Sequence, residues 1–421
     1  MSDSSTWKIA ESKKRPKQEG DIVADVAIVG AGITGILNAY MLAKAGKKVV
    51  VLEKEEDILQ SATLYTTAFI TQCIDTDFEK LIKMFGEEKA GLVWRSGGEA
   101  IALIHRIITE EKIECDFKFA PVITYAKDKS EFEFLEKEFG AIRHSGFEAT
   151  LEADGTRLNF PNSGYLEIPN QAMFHPIKFA SAVAQLAEAA GAQIFVSSEV
   201  LEAEEIKDGK RIVQTSSGTV EAEDVLIATY RPLTHQGTHF KKGMYVTYIY
   251  ELEIKKGHIP EGMYLDLHNP YHYFRIDSGE LSDRMIVGGE DHRKEIPIDE
   301  DKSYSMLLEY AEGILGPVNY KIVRKWRGPI LEPSDGLALI GRIDEHLYVA
   351  TAFSGNGMTY AAISSMLILD TIAGRANPYQ EVYDPTRIPD IRQLIGKARD
   401  YGETFFGGAV RNFLKGSQDS R

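Results

Sequence analysis

Cysteine is nearly absent from this chain: among 421 residues only Cys73 and Cys115 occur, far apart in sequence. That excludes a disulfide framework and any cysteine-based zinc motif. Long apolar runs are missing too. No window reaches the length of a membrane-spanning helix and no early stretch reads as a signal peptide, so a cytoplasmic protein is expected. Basic residues are in deficit, 48 Lys and Arg against 63 Asp and Glu for a net charge of −15. Nucleic acid or an anionic membrane is therefore not the expected main partner, because phosphate recognition relies on clustered cations. The one basic cluster, Lys13-Lys14-Arg15 with Lys17, lies in a polar stretch, residues 1–20, expected to be a disordered leader. Neither a Ser/His/Asp arrangement nor a metal-ligand cluster emerges, so no metal site is expected. Internal repeats and low-complexity segments are also lacking.

What is present is an ordinary globular composition, 43% apolar and 26% charged, in a chain long enough for two domains. Its most informative stretch is Ala24-Asp25-Val26-Ala27-Ile28-Val29-Gly30-Ala31-Gly32-Ile33-Thr34-Gly35, followed by an amphipathic segment and Val49-Val50-Val51-Leu52-Glu53. An apolar strand runs into G-x-G-x-x-G, a helix follows, and a second strand ends on an acid. Gly30 permits the tight turn, Gly32 lets backbone approach a pyrophosphate, and Gly35 lets helix and strand pack closely. The helix start offers free N–H groups and partial positive charge to phosphate. Glu53 is placed to accept hydrogen bonds from an adenosine ribose. This is a dinucleotide site, and the fingerprint alone leaves NAD and FAD open.

Hydrophobic periodicity sets the rest of the plan. Helical text spans about 77–112 and 130–144, His175-Pro176 opens a helix at 179–190, and strands are read at 193–196 and 224–229. Between 230 and 330 the chain alternates aromatic and aliphatic residues, as in Met244–Ile254, Tyr271–Ile276 and Arg284–Val287, which predicts an antiparallel sheet with one buried face. The expected fold is α/β: a discontinuous Rossmann-like domain at 21–110, 165–232 and 334–380. An α+β substrate domain at 111–164 and 233–333 is inserted into it, and 381–421 form a helical tail. That tail carries Thr404–Val410 and Phe413-Leu414. With few cations nearby, packing on the body or on a second subunit is expected ahead of a membrane anchor.

A second glycine turn, Ser354-Gly355-Asn356-Gly357-Met358-Thr359, follows the short strand Leu347–Ala350 and opens another helix. An NAD domain does not need one. A flavin ring does, because its pyrimidine edge becomes anionic on reduction, and a helix start stabilises that charge by roughly 0.3–2 kcal/mol. At this point the chain resembles the D-amino-acid oxidase superfamily of FAD-dependent oxidoreductases, which includes glycine and sarcosine oxidases. The resemblance covers roughly residues 22–385. It rests on the fingerprint, Phe174-His175-Pro176, Val225–Thr229, the D-G-x-x-x-I-G segment Asp335–Gly341 and the turn at 355–357. The segments Tyr65–Thr71, Phe85–Ala90, Ile113–Phe117 and Val287-Gly288-Gly289-Glu290-Asp291-His292 are similar to a subgroup often fused to a Rieske domain. This sequence holds no Cys-x-His or Cys-x-x-His pair, so its electrons are expected to leave by another route.

The resemblance implies cofactor contacts at Gly30, Ala31, Gly32, Ile33, Thr34, Gly35, Glu53 and Lys54 on the ADP half. It implies others at Thr66, Thr67, Val200, Thr229, Gly355, Asn356, Gly357, Met358 and Thr359. Some members attach flavin covalently; the stretch Lys325-Trp326-Arg327-Gly328 lacks the cysteine used for that. Cys73 is a remote candidate, and non-covalent FAD is expected. The implied reaction is hydride transfer from the carbon next to nitrogen of a small amine or amino acid to flavin N5. Reoxidation by oxygen or by an electron-acceptor protein follows. The alternatives are an electron relay to an iron–sulfur or quinone partner, or a protein that holds FAD without catalysis. A homo-oligomer is compatible with this reading.

A substrate carboxylate is usually held by arginine. Strand alternation puts Tyr271, Tyr273 and Arg275 on one face, a candidate carboxylate clamp or else a cross-strand ion pair. Arg327 is a second candidate, or else a structural pair with an acid. Tyr245, Tyr248 and Tyr250 read as core or pocket wall, and His175 as a capping or packing residue. His292 reads as a bland loop residue or one facing the flavin.

Overall fold

The computed structural model describes residues 5–7, 13–230, 242–268, 270–316 and 320–387. The fingerprint folds as β1 (Ile22–Val29), α1 (Ile33–Lys44) and β2 (Val49–Leu52), followed by a short α2 (Ala62–Tyr65) and β3 (Phe69–Ile70). Then come α3 (Phe78–Phe85), α4 (Glu87–Glu110), β4 (Lys118–Tyr125), α5 (Lys129–His144), β5 (Thr150–Glu152), β6 (Tyr165–Met173), α6 (Pro176–Ala189) and β7 (Gln193–Phe195). A β-meander of β8 (Val200–Lys207), β9 (Lys210–Thr215) and β10 (Gly218–Ile227) leads to the strands β11 (Lys242–Lys255), β12 (Gly262–Leu265), β13 (His272–Asp277) and β14 (Ser282–Arg293). The described residues end with α7 (Glu300–Leu315), β15 (Lys321–Pro333), β16 (Leu339–Asp344), β17 (Leu347–Thr351), α8 (Gly357–Ile372) and α9 (Gln380–Tyr383).

Two sheets organise these elements. The first runs β16-β17-β10-β1-β2-β7, parallel except at β16, with the β8–β9 hairpin attached to β10. The second half of β1 and all of β2 are buried, as expected of strands covered on both faces. The second sheet runs β15-β11-β14-β13-β12-β4-β6-β3 and is antiparallel save for the β12–β4 pair. One hydrophobic core packs α1, α4, α6 and α8 against the first sheet. Another joins α7 to the β11–β14 face around Tyr248, Tyr250, Phe274 and Tyr304. The fold is thus α/β, a Rossmann-like domain with an inserted α+β domain.

Two boundaries differ from the sequence reading. Strand β6 belongs to the second sheet, pairing with β3, β4 and β5, so residues 165–173 leave the first region. Nothing local in Tyr165–Met173 tells which sheet the strand joins, because that is decided by its pairing with β3, β4 and β5. The described part of the leader is packed rather than disordered: Trp7 is 1% exposed, Arg15 pairs with Glu188, and the Gln18 N–H donates to Ser198 Oγ. The aromatic ring and the guanidinium find partners distant in sequence, which composition cannot reveal. The helical tail expected at 381–421 falls largely outside the described residues. Among the described residues, no helix is long and apolar enough to cross a membrane.

Candidate active site

The first glycine turn is held by its own acid. Gly30 sits at φ +103° with Ala228 O 3.0 Å from where a Cβ would be, and a Cβ on Gly35 would lie 1.9 Å from Gly30 O. Neither position tolerates a side chain. Glu53 Oε2 accepts the Ala31 N–H at 2.7 Å and Oε1 accepts the Glu55 N–H at 3.1 Å, tying the end of β2 to the turn. Helix α1 begins at Gly32 with no side-chain cap and no acid in its first turn, and α8 begins after Asn356 likewise. The Thr63 hydroxyl accepts the Ile33 N–H at 3.1 Å, but with no acid in either first turn both starts keep the positive end of the helix dipole.

These two starts face one cavity of about 720 Å3. Gly32, Ile33, Thr34, Thr66, Thr67, Thr229, Gly355, Asn356, Gly357 and Met358 line it, as does Cys73. Burial pushes the Cys73 thiol up to about 12, so it is held protonated. Of the other expected contacts, Gly30, Ala31 and Gly35 form the turn behind the wall. Thr359 exchanges hydrogen bonds with the backbone of Thr71, both at 3.0 Å, locking α8 to the loop after β3. Val200 packs in the apolar layer with Val50 and Leu52. Lys54 is exposed and pairs with Glu55.

The opposite wall comes from the second sheet. Tyr271, Tyr273, Tyr245 and Thr247 line it, and Thr247 Oγ1 and the Tyr273 hydroxyl are 2.9 Å apart. Arg275 does not join them. Its guanidinium is buried behind the wall, where Nη1 donates to Thr67 O at 3.0 Å, and to Ala68 O and Phe174 O, both at 3.3 Å. Its other face pairs with Asp277, which also binds Arg284. With its donors so used, Arg275 braces the Thr67–Ala68 loop and cannot serve as the carboxylate clamp. Arg327 is displaced for another reason. Trp326 turns inward and donates to Tyr65 O at 3.1 Å, so the next side chain on β15 points away, where Arg327 is half exposed and paired with Glu300. His292 stacks on Tyr248 instead of entering the cavity, Tyr248 and Tyr250 are core, and His175 caps α6 by accepting the Lys178 N–H.

The sequence reading missed the acids. Asp75, Asp266, Asp291 and Glu332 line the cavity, whereas no lysine or arginine does among the described residues. Asp75 accepts the Gly355 N–H at 2.8 Å, and burial raises its pKa. Asp266 Oδ2 lies 2.9 Å from His268 Nδ1 and 3.0 Å from His272 Nδ1, and His272 Nε2 lies 3.0 Å from Glu290. Burial disfavours charge on His272, but its two carboxylate partners outweigh it and push the pKa up to about 9. The Asp266, His268 and His272 ligand atoms also lie close enough together to reach one ion. Their separations are those of hydrogen bonds.

Asp291 reaches the cavity through a β-bulge. Val246 pairs with His292 but Tyr248 with Gly289, so β14 carries an extra residue, and Glu290 takes a φ of +56°. Such a bulge re-aims the side chains around it. Here Glu290 turns onto His272 while Asp291 lines the cavity. Burial raises the Asp291 pKa to about 7, and its Oδ1 has no hydrogen-bond partner. The Gly-Gly-Glu-Asp-His text was visible in the sequence, yet its bulge was not.

Residues 25–371 match the family model described as FAD dependent oxidoreductase. The chain belongs to that family. As a family member it is an FAD-dependent oxidoreductase, and the cavity between two uncapped helix starts has the form an extended dinucleotide requires. A protein of Bacillus subtilis (strain 168), whose name assigns it to the Rieske 2Fe-2S iron–sulfur proteins, is 28% identical over 94% of this chain and 78% of its own length. Gamma-glutamylputrescine oxidoreductase of Escherichia coli (strain K12) is 23% identical, with 85% of each chain covered. Glycine oxidase from Geobacillus kaustophilus shares the fold at a TM-score of 0.73 and 20% identity, covering 87% of this chain and 99% of its own.

Proposed function

We propose that this oxidoreductase dehydrogenates the carbon–nitrogen bond of a small amine-bearing substrate, with FAD bound non-covalently. The observation that carries the reading is a single cavity whose one end is the fingerprint helix start and whose other end is an aromatic wall from the inserted sheet. When bound, FAD supplies the two-electron acceptor for hydride leaving the carbon next to nitrogen. The Gly32–Thr34 backbone would hold the pyrophosphate, Glu53 would accept from the ribose, and the Gly357 helix start would stabilise charge on the pyrimidine edge. Thr66, fixed from behind by Trp7, and Thr67, fixed by Arg275, would border the ring. Tyr271 and Tyr273 exclude water and orient the substrate, where most of the rate originates.

Relatives whose names include glycine oxidase, D-amino acid dehydrogenase and gamma-glutamylputrescine oxidoreductase support carbon–nitrogen chemistry. Incubation with a panel of amines and amino acids, with oxygen or a dye as acceptor, tests it. Release of the carbonyl product with either acceptor is expected, and no product from any member in either arm contradicts the reading. The two arms also weigh a second reading, electron transfer to an iron–sulfur partner, which the similarity to the Bacillus protein supports. Turnover with dye but not oxygen favours it. Loss of yellow colour from acid-precipitated protein is the expected sign of non-covalent binding.

A further inference from the structure

We infer that the substrate is an amine with no carboxylate beside its reacting nitrogen, and that Asp291 receives that nitrogen. The inference deepens the proposed carbon–nitrogen oxidation and rests on it. Three observations carry it.

First, both arginines that could have paired with a substrate carboxylate are committed elsewhere, Arg275 to Asp277 and three carbonyls, Arg327 to Glu300. Among the described residues no other guanidinium or ammonium lines the cavity. The nearby cation, His272, is already held between Asp266 and Glu290. Among the described residues, a carboxylate entering here would meet Asp75 and Asp291 and find no lysine or arginine, and burial of an anion among like charges is strongly unfavourable. An amine nitrogen meets the opposite situation, because it brings donors and, when protonated, positive charge.

Second, the β14 bulge places Asp291 on the wall with one oxygen lacking any donor. Buried polar atoms are nearly always satisfied, so a carboxyl oxygen left without a partner beside a cavity points to a donor supplied by what enters it. Third, Asp291 sits among the residues that define this wall. Thr247 bonds to it, Asp75, His272 and Glu332 act on it electrostatically, and its charge reaches Tyr271 and Tyr273. It therefore sits where the substrate contacts the aromatic wall.

The test compares matched pairs on the FAD-loaded protein: an amine against the amino acid that differs only by a carboxylate next to nitrogen, such as methylamine with glycine or benzylamine with phenylglycine. The amine member is expected to show the larger kcat/KM by at least about tenfold, and Asp291→Asn to lower that amine's kcat/KM by about 10- to 100-fold, the loss of one charge-assisted hydrogen bond. The wild-type profile should fall as pH drops below about 7, where Asp291 becomes protonated, and Asp291→Asn should lack that limb. Higher kcat/KM for the carboxylated members, or an Asp291→Asn enzyme within twofold of wild type, overturns the inference while leaving carbon–nitrogen oxidation intact. Oxidation of neither member of any pair removes the underlying reading as well. If Asp291→Asn does not retain FAD, the pair comparison on the wild-type protein decides alone.

Discussion

Arg275 shows how much a side chain's partners decide its role. Its position on the Tyr271–Tyr273 strand face suggested a ligand for substrate, yet its guanidinium binds Asp277 and the carbonyls of Thr67, Ala68 and Phe174. Removing Arg275 takes the donor from three carbonyls and leaves the buried Asp277 with Arg284 as its remaining pair. Arg275→Ala is therefore expected to lower unfolding free energy by about 3–5 kcal/mol, measured by denaturant titration. A carboxylate clamp would instead raise KM with stability unchanged. Gly35 offers a second check at this scale. The 1.9 Å approach of an added Cβ to Gly30 O means Gly35→Ala must push α1 off the turn, and flavin recovered with the purified protein should fall to a small fraction. Full FAD content in that variant would contradict the placement of the phosphate site.

Among elements, strands and helices with strong periodicity were legible. Buried β1 and β2 and the Pro176-initiated α6 follow from apolar runs, fixed φ at the first helical turn and a capping His175. Irregularities were not legible. A bulge depends on how two strands pair, and nothing local in Gly289-Glu290-Asp291 announces which residue will be extra. The start of α3 is similar: its Asp77 makes no cap, and Glu138 reaches over from α5 to accept the Phe78 and Glu79 N–H groups at 2.8 and 3.0 Å. Burial, with Asp77 nearby, raises the Glu138 pKa from 4.5 to about 7. The native state then keeps a proton that the unfolded chain releases, so this group's stabilisation is complete below pH 4.5 and declines as pH rises to about 7, by up to about 3 kcal/mol. Glu138→Gln keeps an acceptor and cannot ionise. Its stability relative to wild type should rise between pH 5 and pH 8 in paired unfolding experiments. A constant difference across that range would show that Glu138 does not hold its proton.

Across the whole molecule, the site is assembled from segments distant in sequence. The glycine turns near residues 30 and 355 were readable because each carries its own local signature. The acidic wall was not, since Asp75, Asp266, Asp291 and Glu332 come from separate segments that only the fold brings together. The N-terminal segment adds a tie of the same kind. Trp7 donates from Nε1 to Thr66 O, packs edge-on to His175, and lies over Arg275 and Arg284. Trp7→Ala should cost about 3–5 kcal/mol and speed FAD release, because Thr66 borders the cavity. Thermal unfolding followed with flavin fluorescence reads both.

The central claim is that amine nitrogen chemistry and FAD meet in this cavity. Its most direct measurement is anaerobic mixing of the FAD-loaded protein with an excess of small primary and N-methyl amines, watching the absorbance of oxidised flavin. Bleaching by at least one amine, in a single phase whose rate saturates with amine concentration, is the predicted result. A flavin that dithionite reduces readily but that every amine and amino acid leaves oxidised would contradict the account.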